Sequence, residues 1–227
     1  MNTQTTHIFL AGGGGAEDSK FLDEQFVKML DLTKPLVYIP NAMRSKPYQS
    51  CLEWFHSVMV PLGVTVIEMW DDLRPRRPID GIAGVYIGGG DTVKLLKEIR
   101  EAGFEEYLLK VARSGVPLYG GSAGAIILGE DIRTAPEASQ MNATEAQGIE
   151  LITDHSIVCH YKVDDQETTM KLSKDLRQNI IAIPEKAGGY VTEGMFTNYG
   201  TEPIVIIQED RVDAIHPNCS IKLEVRR

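Results

Sequence analysis

Residues 118–129 read LYGGSAGAIILG, in which one hydroxyl is surrounded by glycine and alanine between an apolar run and a small-residue helical run. Residues 120–124 match the G-x-S-x-G pattern in the strand, turn and helix context that this pattern requires. Such a turn presents the Ser122 hydroxyl above a sheet, at the N-terminus of a helix that begins near Ala123. Free N–H groups and the positive dipole at that helix end suit a developing oxyanion. The pattern therefore favours a serine nucleophile over the alternative of close strand–helix packing alone.

Short apolar runs and amphipathic helical stretches alternate around this turn, over the first two-thirds of the chain. Predicted strands lie at 7–12, 36–42, 64–70, 84–90 and 116–121, and predicted helices at 19–31, 46–61, 92–101 and 104–113. Strands that are apolar on both faces and separated by helices indicate a parallel sheet covered on both sides. The sequence therefore predicts an α/β fold.

The last third of the chain contains short predicted strands with few helical segments between them. These strands are GIELI (148–152), HSIVCHY (155–161), NIIAIP (179–184), GGYVTEG (188–194), PIVIIQE (203–209) and RVDAI (211–215). We interpret them as a mixed extension of the same sheet with peripheral hairpins. Because no linker, repeat or low-complexity segment intervenes, we predict one domain over residues 1–227.

Composition narrows the class of protein. The chain has 227 residues, of which 43% are hydrophobic and 24% charged, as in ordinary globular proteins. A net charge of −9 and the lack of a basic stripe argue against a nucleic-acid partner.

Neither a signal-peptide pattern nor a long apolar run is present, so we expect a cytoplasmic protein without a membrane partner. The three cysteines (Cys51, Cys159 and Cys219) are widely spaced, which suggests reduced thiols, and neither cysteines nor histidines show metal-ligand spacing. We therefore predict no metal and no cofactor.

Three glycine clusters, at 12–15, 88–90 and 120–124, follow predicted strands. Ligands of open α/β sheets bind outside the carboxyl ends of the strands, so these turns are candidate site elements. The stretch AGGGGAEDSK lacks the full G-x-G-x-x-G spacing, and no P-loop is present. No acidic residue ends the second strand, where Asn41 stands instead. Nucleotide binding is therefore the weaker alternative.

A serine nucleophile needs a base, normally a histidine oriented by a carboxylate. Of the five histidines, His160 lies at the far end of its predicted strand, where a parallel strand would deliver it to the catalytic edge. His155 lies at the near end and is interpreted as structural. Composition does not choose the acid, and the candidates near His160 in sequence are Asp131, Glu137, Glu145, Asp154, Asp164 and Asp165.

Four segments together resemble the dipeptidase E (α-aspartyl dipeptidase) and cyanophycinase family of serine peptidases: IGGGDT (87–92), GGSAGA (120–125), IRT (132–134) and CHY (159–161). The resemblance extends from the first strand to IPE at 183–185. It implies a three-layer α/β/α sandwich with a mostly parallel sheet, flavodoxin-like and similar to class I glutamine amidotransferases.

The resemblance also implies roles for individual residues. Ser122 would be the nucleophile and His160 the general base, with the backbone N–H groups of Gly90 and Ala123 as the oxyanion hole. The family's acid lies about fifteen residues beyond the serine, which points to Glu137. Asp131 is kept as the second candidate.

The segment HYKVDDQETTMKL (160–172) departs from the family's pattern. Glu167 matches, but Thr169 stands where aspartyl dipeptidases carry an arginine that matches an acidic side chain, and Lys162 would replace it only as a point charge. With these three residues, Gly89 and Asp91 complete the predicted substrate-binding set.

The predicted function is a serine-type peptidase or amidohydrolase that cleaves small peptides through a Ser-His-Glu triad, without an established Asp-X preference. A catalytically inactive relative that binds a peptide or an amino acid is the alternative. A homodimer is also considered.

Overall fold

The computed structural model describes residues 5–208 and 211–223 and shows an α/β fold around an eight-stranded sheet. Five parallel strands form its first part, in the order β1-β5-β4-β2-β3. They are β1 (Ile8–Ala11), β2 (Leu36–Ile39), β3 (Ile67–Met69), β4 (Gly84–Ile87) and β5 (Leu118–Gly121). Three antiparallel strands extend the sheet beyond β1 in the order β8-β9-β12. They are β8 (Gly188–Thr192), β9 (Met195–Asn198) and β12 (Ser220–Lys222).

Helices cover both faces of the large sheet, so the predicted three layers are confirmed. One face packs against α1 (Ala16–Lys28) and α2 (Tyr48–Met59), with Phe26 and Phe55 fully buried among sheet aromatics. The other face packs against α3 (Thr92–Glu101), α4 (Glu105–Arg113) and the short α5 (Ala123–Ile126). The predicted helix 92–101 matches α3 at both ends. At its start, Asp91 is the N-cap, whose side chain accepts a hydrogen bond from the Lys94 N–H.

A second sheet of four strands stands beside the first and was not predicted. Its order is β11-β10-β7-β6, with β6 and β7 parallel. The strands are β6 (His155–Cys159), β7 (Asn179–Ile183), β10 (Ile204–Gln208) and β11 (Arg211–Ile215). Helix α6 (Gln166–Leu176), also unpredicted, connects the two parallel strands. The predicted extension of the large sheet is therefore right for β8 and β9 and wrong for β6 and β7. Strands β10 and β11 form an antiparallel hairpin, as predicted for the periphery, but on the second sheet.

Two further predictions need correction. Residues 148–152, the predicted strand GIELI, form no strand, and Glu150 has a left-handed backbone with φ 57°. The predicted strands 36–42 and 84–90 end at Ile39 and Ile87, because the chain turns away at the residues that follow. The last residue of the predicted strand 203–209 lies outside the described residues.

The two sheets meet at the turn that follows β1. The Gly12 carbonyl accepts a hydrogen bond of 2.8 Å from the His160 N–H, just after β6. A Cβ on Gly12 would lie 2.0 Å from the Pro184 carbonyl oxygen, just after β7. The carboxyl ends of β1, β6 and β7 therefore converge on the edge where β5 ends. Within the described part of the chain, no helix has the length and apolarity needed to cross a membrane.

Candidate active site

Ser122 lies on a strained turn between β5 and α5. Its backbone has φ 49° and ψ −111°, in a region that L-residues other than glycine rarely occupy. The turn is held on the large sheet, because the Ser122 N–H donates to the Ala11 carbonyl at 3.0 Å. Ala123 begins α5, and the Ser122 carbonyl accepts hydrogen bonds from the Ala125 N–H at 2.8 Å and the Ile126 N–H at 3.0 Å. This is the geometry that the G-x-S-x-G pattern predicts.

Close packing accompanies this geometry. A Cβ on Gly124 would lie 2.4 Å from the Ile87 carbonyl oxygen of the neighbouring strand β4. No side chain fits there without moving backbone. The small residues around Ser122 therefore serve strand–helix packing and the exposed turn at once, so the two interpretations of the motif are compatible.

His160 reaches Ser122 from the second sheet. Its Nε2 lies 2.9 Å from the Ser122 Oγ. The residue follows the last residue of β6 and has φ 55°, so the ring direction comes from a left-handed turn rather than from strand alternation. Gly13 faces the imidazole, since a Cβ there would lie 2.2 Å from the His160 Cε1. One function of the first glycine cluster is thus to leave room for this ring.

Glu185 contacts the other nitrogen of the imidazole. The His160 Nδ1 and the Glu185 Oε1 are 2.8 Å apart, and both side chains are about half exposed. Sequence reasoning missed this residue. A signal was present, because Glu185 follows β7, which pairs in parallel with β6 and ends beside it at Cys159 and Ile183. Parallel strands deliver the residues that follow them to one edge.

The two predicted acids lie elsewhere. The Glu137 Oε1 accepts a hydrogen bond of 2.8 Å from the Thr92 N–H at the start of α3. Asp131 forms an ion pair of 2.5 Å with Arg133. The expected pairing of Glu137 with His160 is therefore replaced by the pairing of Glu185 with His160. The fifteen-residue spacing from the serine carries no information about side-chain direction.

The predicted oxyanion donors belong to two turns beside the serine. A Cβ on Gly89 would lie 3.1 Å from the Ser122 Cβ, which places the second glycine turn against Ser122. Gly90 follows with φ 144°, and the next N–H, that of Asp91, donates to the Ala42 carbonyl at 2.8 Å. Gly90 and Ala123 are thus brought to the same place in the fold.

Two cavities of about 480 Å³ each adjoin the Ser122–His160 pair. The aromatic cavity is lined by the glycine turns and by Tyr38, Met43, Lys46, Trp54 and Tyr86. The acidic cavity is lined by Thr92, Thr134, Glu137, Asp165, Thr168 and Thr169, among others. Gly90, Ser122 and His160 border both cavities. A molecule that occupies both would cross the serine hydroxyl.

Of the remaining residues that were predicted to bind substrate, only Thr169 lines one of the two cavities. Thr169 is 4% exposed, lines the acidic cavity and donates its hydroxyl to the Asp165 carbonyl at 2.8 Å. The Asp91 carboxylate pairs with Arg44 at 2.7 Å, so it is already engaged. Glu167 is exposed at the start of α6, and the backbone N–H of Lys162 donates to Asp165 at 3.1 Å.

A thiol lies beneath the serine. The Cys159 Sγ is 3.6 Å from the Ser122 carbonyl oxygen, and desolvation raises the pKa of this thiol to about 12. It is therefore protonated at neutral pH and does not compete with Ser122 as a nucleophile. Among the described residues, no three His, Cys, Asp or Glu side chains are grouped so that they could hold a metal ion.

Known proteins resemble this chain in sequence and in fold. The sequence model described as Peptidase family S51 matches residues 8–208. Peptidase E of Haemophilus influenzae is 23% identical over 185 residues, which are 77% of this chain and 84% of that protein. Peptidase E of Shigella flexneri serotype 5b is 32% identical over 116 residues, 51% of this chain and 49% of that protein. The crystal structure of a peptidase from an acI-B1 actinobacterium has a TM-score of 0.78 and a sequence identity of 17%. The superposition covers 98% of this chain and 99% of that chain, which shows a common fold.

Proposed function

The chain belongs to peptidase family S51 and is a serine peptidase, and from this premise we propose that it hydrolyses short peptides by means of Ser122, His160 and Glu185. The hydrogen-bonded series from hydroxyl to imidazole to carboxylate, with distances of 2.9 and 2.8 Å, carries this proposal. It is the arrangement in which a base activates a nucleophile and a third group orients the base.

Each residue then has a defined step. The Ser122 Oγ attacks the scissile carbonyl while the His160 Nε2 accepts its proton. Glu185 holds the Nδ1–H of the imidazole and stabilises the imidazolium. His160 returns the proton to the leaving amine, and a water activated by the same nitrogen hydrolyses the acyl-enzyme.

The oxyanion that forms during attack is assigned to the N–H groups of Gly90 and Ala123. Both belong to turns that adjoin Ser122, and backbone donors in such positions need little reorganisation during the reaction. The strained backbone of Ser122 supports this assignment, because α5 begins at the next residue, Ala123.

Short peptides are the proposed substrates. Each cavity has a volume in the range of small-ligand sites, so one or two residues fit on either side of the scissile bond. An Asp-X preference gains no support from the acidic cavity, which has threonine at 169 and no lysine or arginine among its lining residues. The glycines at 12 and 13, which suggested a nucleotide, contact Pro184 and His160 respectively.

Substitution of the nucleophile tests the function. Ser122→Ala is expected to reduce kcat on short peptides by at least about 10,000-fold, the scale seen when a triad residue is removed. Ser114→Ala, at the end of α4, removes a hydroxyl that bonds only its own helix and serves as the control. Circular dichroism should show both variants folded. Peptide hydrolysis by Ser122→Ala at the unsubstituted rate would refute the mechanism.

A further inference from the structure

The two cavities that meet at Ser122 have opposite charges. Glu137 and Asp165 line the acidic cavity, and no lysine or arginine does. Lys46 lines the aromatic cavity, and no aspartate or glutamate does. A zwitterionic peptide that crosses the serine would therefore have a preferred direction, with its amino end in the acidic cavity and its carboxyl end in the aromatic cavity.

Lys46 is a cation without a protein counterion among the described residues. None of their carboxylates forms an ion pair with it, whereas the adjacent Arg44 is paired with Asp91 at 2.7 Å and Lys94 with Glu98 at 2.8 Å. Lys46 itself is exposed and lines the aromatic cavity. Cys51 also lines the aromatic cavity. This ammonium is thus available to an anion in the cavity.

Aromatic side chains form much of the remaining wall of this cavity, beside the glycine turns and several serines. Tyr38 and Tyr86 are 4% and 5% exposed and form its floor, and the Trp54 side chain from α2 is 44% exposed beside Met43. A half-exposed tryptophan at a cavity wall offers a large flat surface to an apolar side chain. The cavity thus combines an apolar wall with a single positive charge.

We propose that Lys46 binds the C-terminal carboxylate of the leaving amino acid, so that free dipeptides with a bulky apolar second residue are the preferred substrates. This assignment rests on the proposed peptidase function. A carboxylate on an ammonium group forms a hydrogen bond in which both partners are ionised, whereas a neutral amide at the same position accepts a weaker bond without the ion pair. Lys46 is a binding residue in this scheme and takes no part in proton transfer.

Matched substrates test the assignment. Dipeptides X-Phe, with Ala, Ser or Asp as X, are compared with their C-terminal amides by kcat/KM. We expect the free acid to be preferred by about tenfold, and Lys46→Gln to remove this preference. Lys46→Arg should keep most of it. Lys97→Gln, an exposed lysine of α3 outside both cavities, should leave it unchanged. Equal rates for acid and amide, or an undiminished preference in Lys46→Gln, would overturn the assignment.

Binding separates this assignment from the peptidase function. The Ser122→Ala variant is titrated with the same acids and amides by calorimetry, since it binds without turnover. Failure of the unsubstituted protein to cleave any of the peptides would contradict the proposed function. The assignment of Lys46 then depends on the Kd values, which should be about tenfold lower for the acids. Equal Kd values, or no binding of either series, would overturn it.

Discussion

The two sheets contribute to the site in different ways. The large sheet carries Ser122, whose turn is enclosed by β4, β5 and α5, with Ala123 and Ala125 fully buried. The small sheet carries His160 and Glu185, whose side chains are 49% and 53% exposed. Ser122 is positioned by backbone packing, whereas His160 and Glu185 are positioned mainly by contacts of their side chains.

This difference has a consequence for substitutions. On the large sheet, a change near Ser122 meets backbone atoms, so that stability and activity should fall together. On the small sheet, a change at His160 or Glu185 meets solvent on one side, so that activity should fall while stability is retained. Substitutions in the two regions therefore separate folding from catalysis.

The largest expected effect is that of Glu185→Gln. Loss of the carboxylate leaves the imidazole without the charge that stabilises its protonated form, and kcat/KM should fall about 10,000-fold with little change in Tm. Glu137→Gln, which alters the acid on the Thr92 N–H, should reduce kcat/KM by less than about tenfold, mainly through KM. Peptide hydrolysis and thermal unfolding of both variants check this. A larger loss in Glu137→Gln would return the role of the acid to that residue.

Gly13→Ala should have the next largest effect. The backbone there has φ 116°, and the new methyl would lie 2.2 Å from the His160 Cε1, so the imidazole must move away from Ser122. We expect kcat to fall about 10- to 100-fold, since misplacement of a catalytic group by about 1 Å has effects of this size. The backbone strain should cost about 1–3 kcal/mol of stability. Unchanged kcat in a folded variant would show that the glycine does not position the ring.

The smallest effect concerns a buried acid of the large-sheet region. Asp23 of α1 is 1% exposed and accepts hydrogen bonds from the Tyr119 hydroxyl at 2.7 Å and the Ser19 hydroxyl at 2.8 Å. Burial raises the pKa of Asp23 to about 6. Between pH 4 and 6 the Asp23 carboxyl therefore binds more protons in the folded state than in the unfolded state. The contribution of Asp23 to the unfolding free energy is lost as the pH rises through this range. The loss is at most about 3 kcal/mol.

Asp23→Asn isolates this contribution. Urea unfolding of both proteins at pH 4, 5, 6, 7 and 8 gives the difference in their unfolding free energies, in which the contributions of the other carboxylates cancel. The variant should gain stability relative to the unsubstituted protein as the pH rises from 4 to 6, and no further above pH 7. A difference that does not vary with pH would contradict the raised pKa.

The five parallel strands of the large sheet were predictable because the sequence patterns that mark them are local. Each strand is a short apolar run, each helix has its own apolar face, and Asp91 marks the start of α3. Ser122 was predictable for the same reason, since the glycines that its turn needs are its neighbours in sequence.

The second sheet was not predictable from such signals. Whether β6 and β7 extend one sheet or form another depends on long-range pairing, and their apolar patterns are alike in both cases. Glu185 was missed as a consequence, because its approach to His160 follows from the parallel pairing of these strands. The left-handed backbone at His160 likewise depends on the contact of its N–H with Gly12.

The rate at which Ser122 is labelled by a fluorophosphonate tests the joint action of the two sheets most directly, because it needs no knowledge of the substrate. Mass spectrometry of the labelled protein should find one adduct, on Ser122. The labelling rate should fall at least about 100-fold in His160→Gln, since general-base assistance of a nucleophile is of this order. An adduct on another residue, or an unchanged rate in His160→Gln, would contradict the activation of Ser122 by His160.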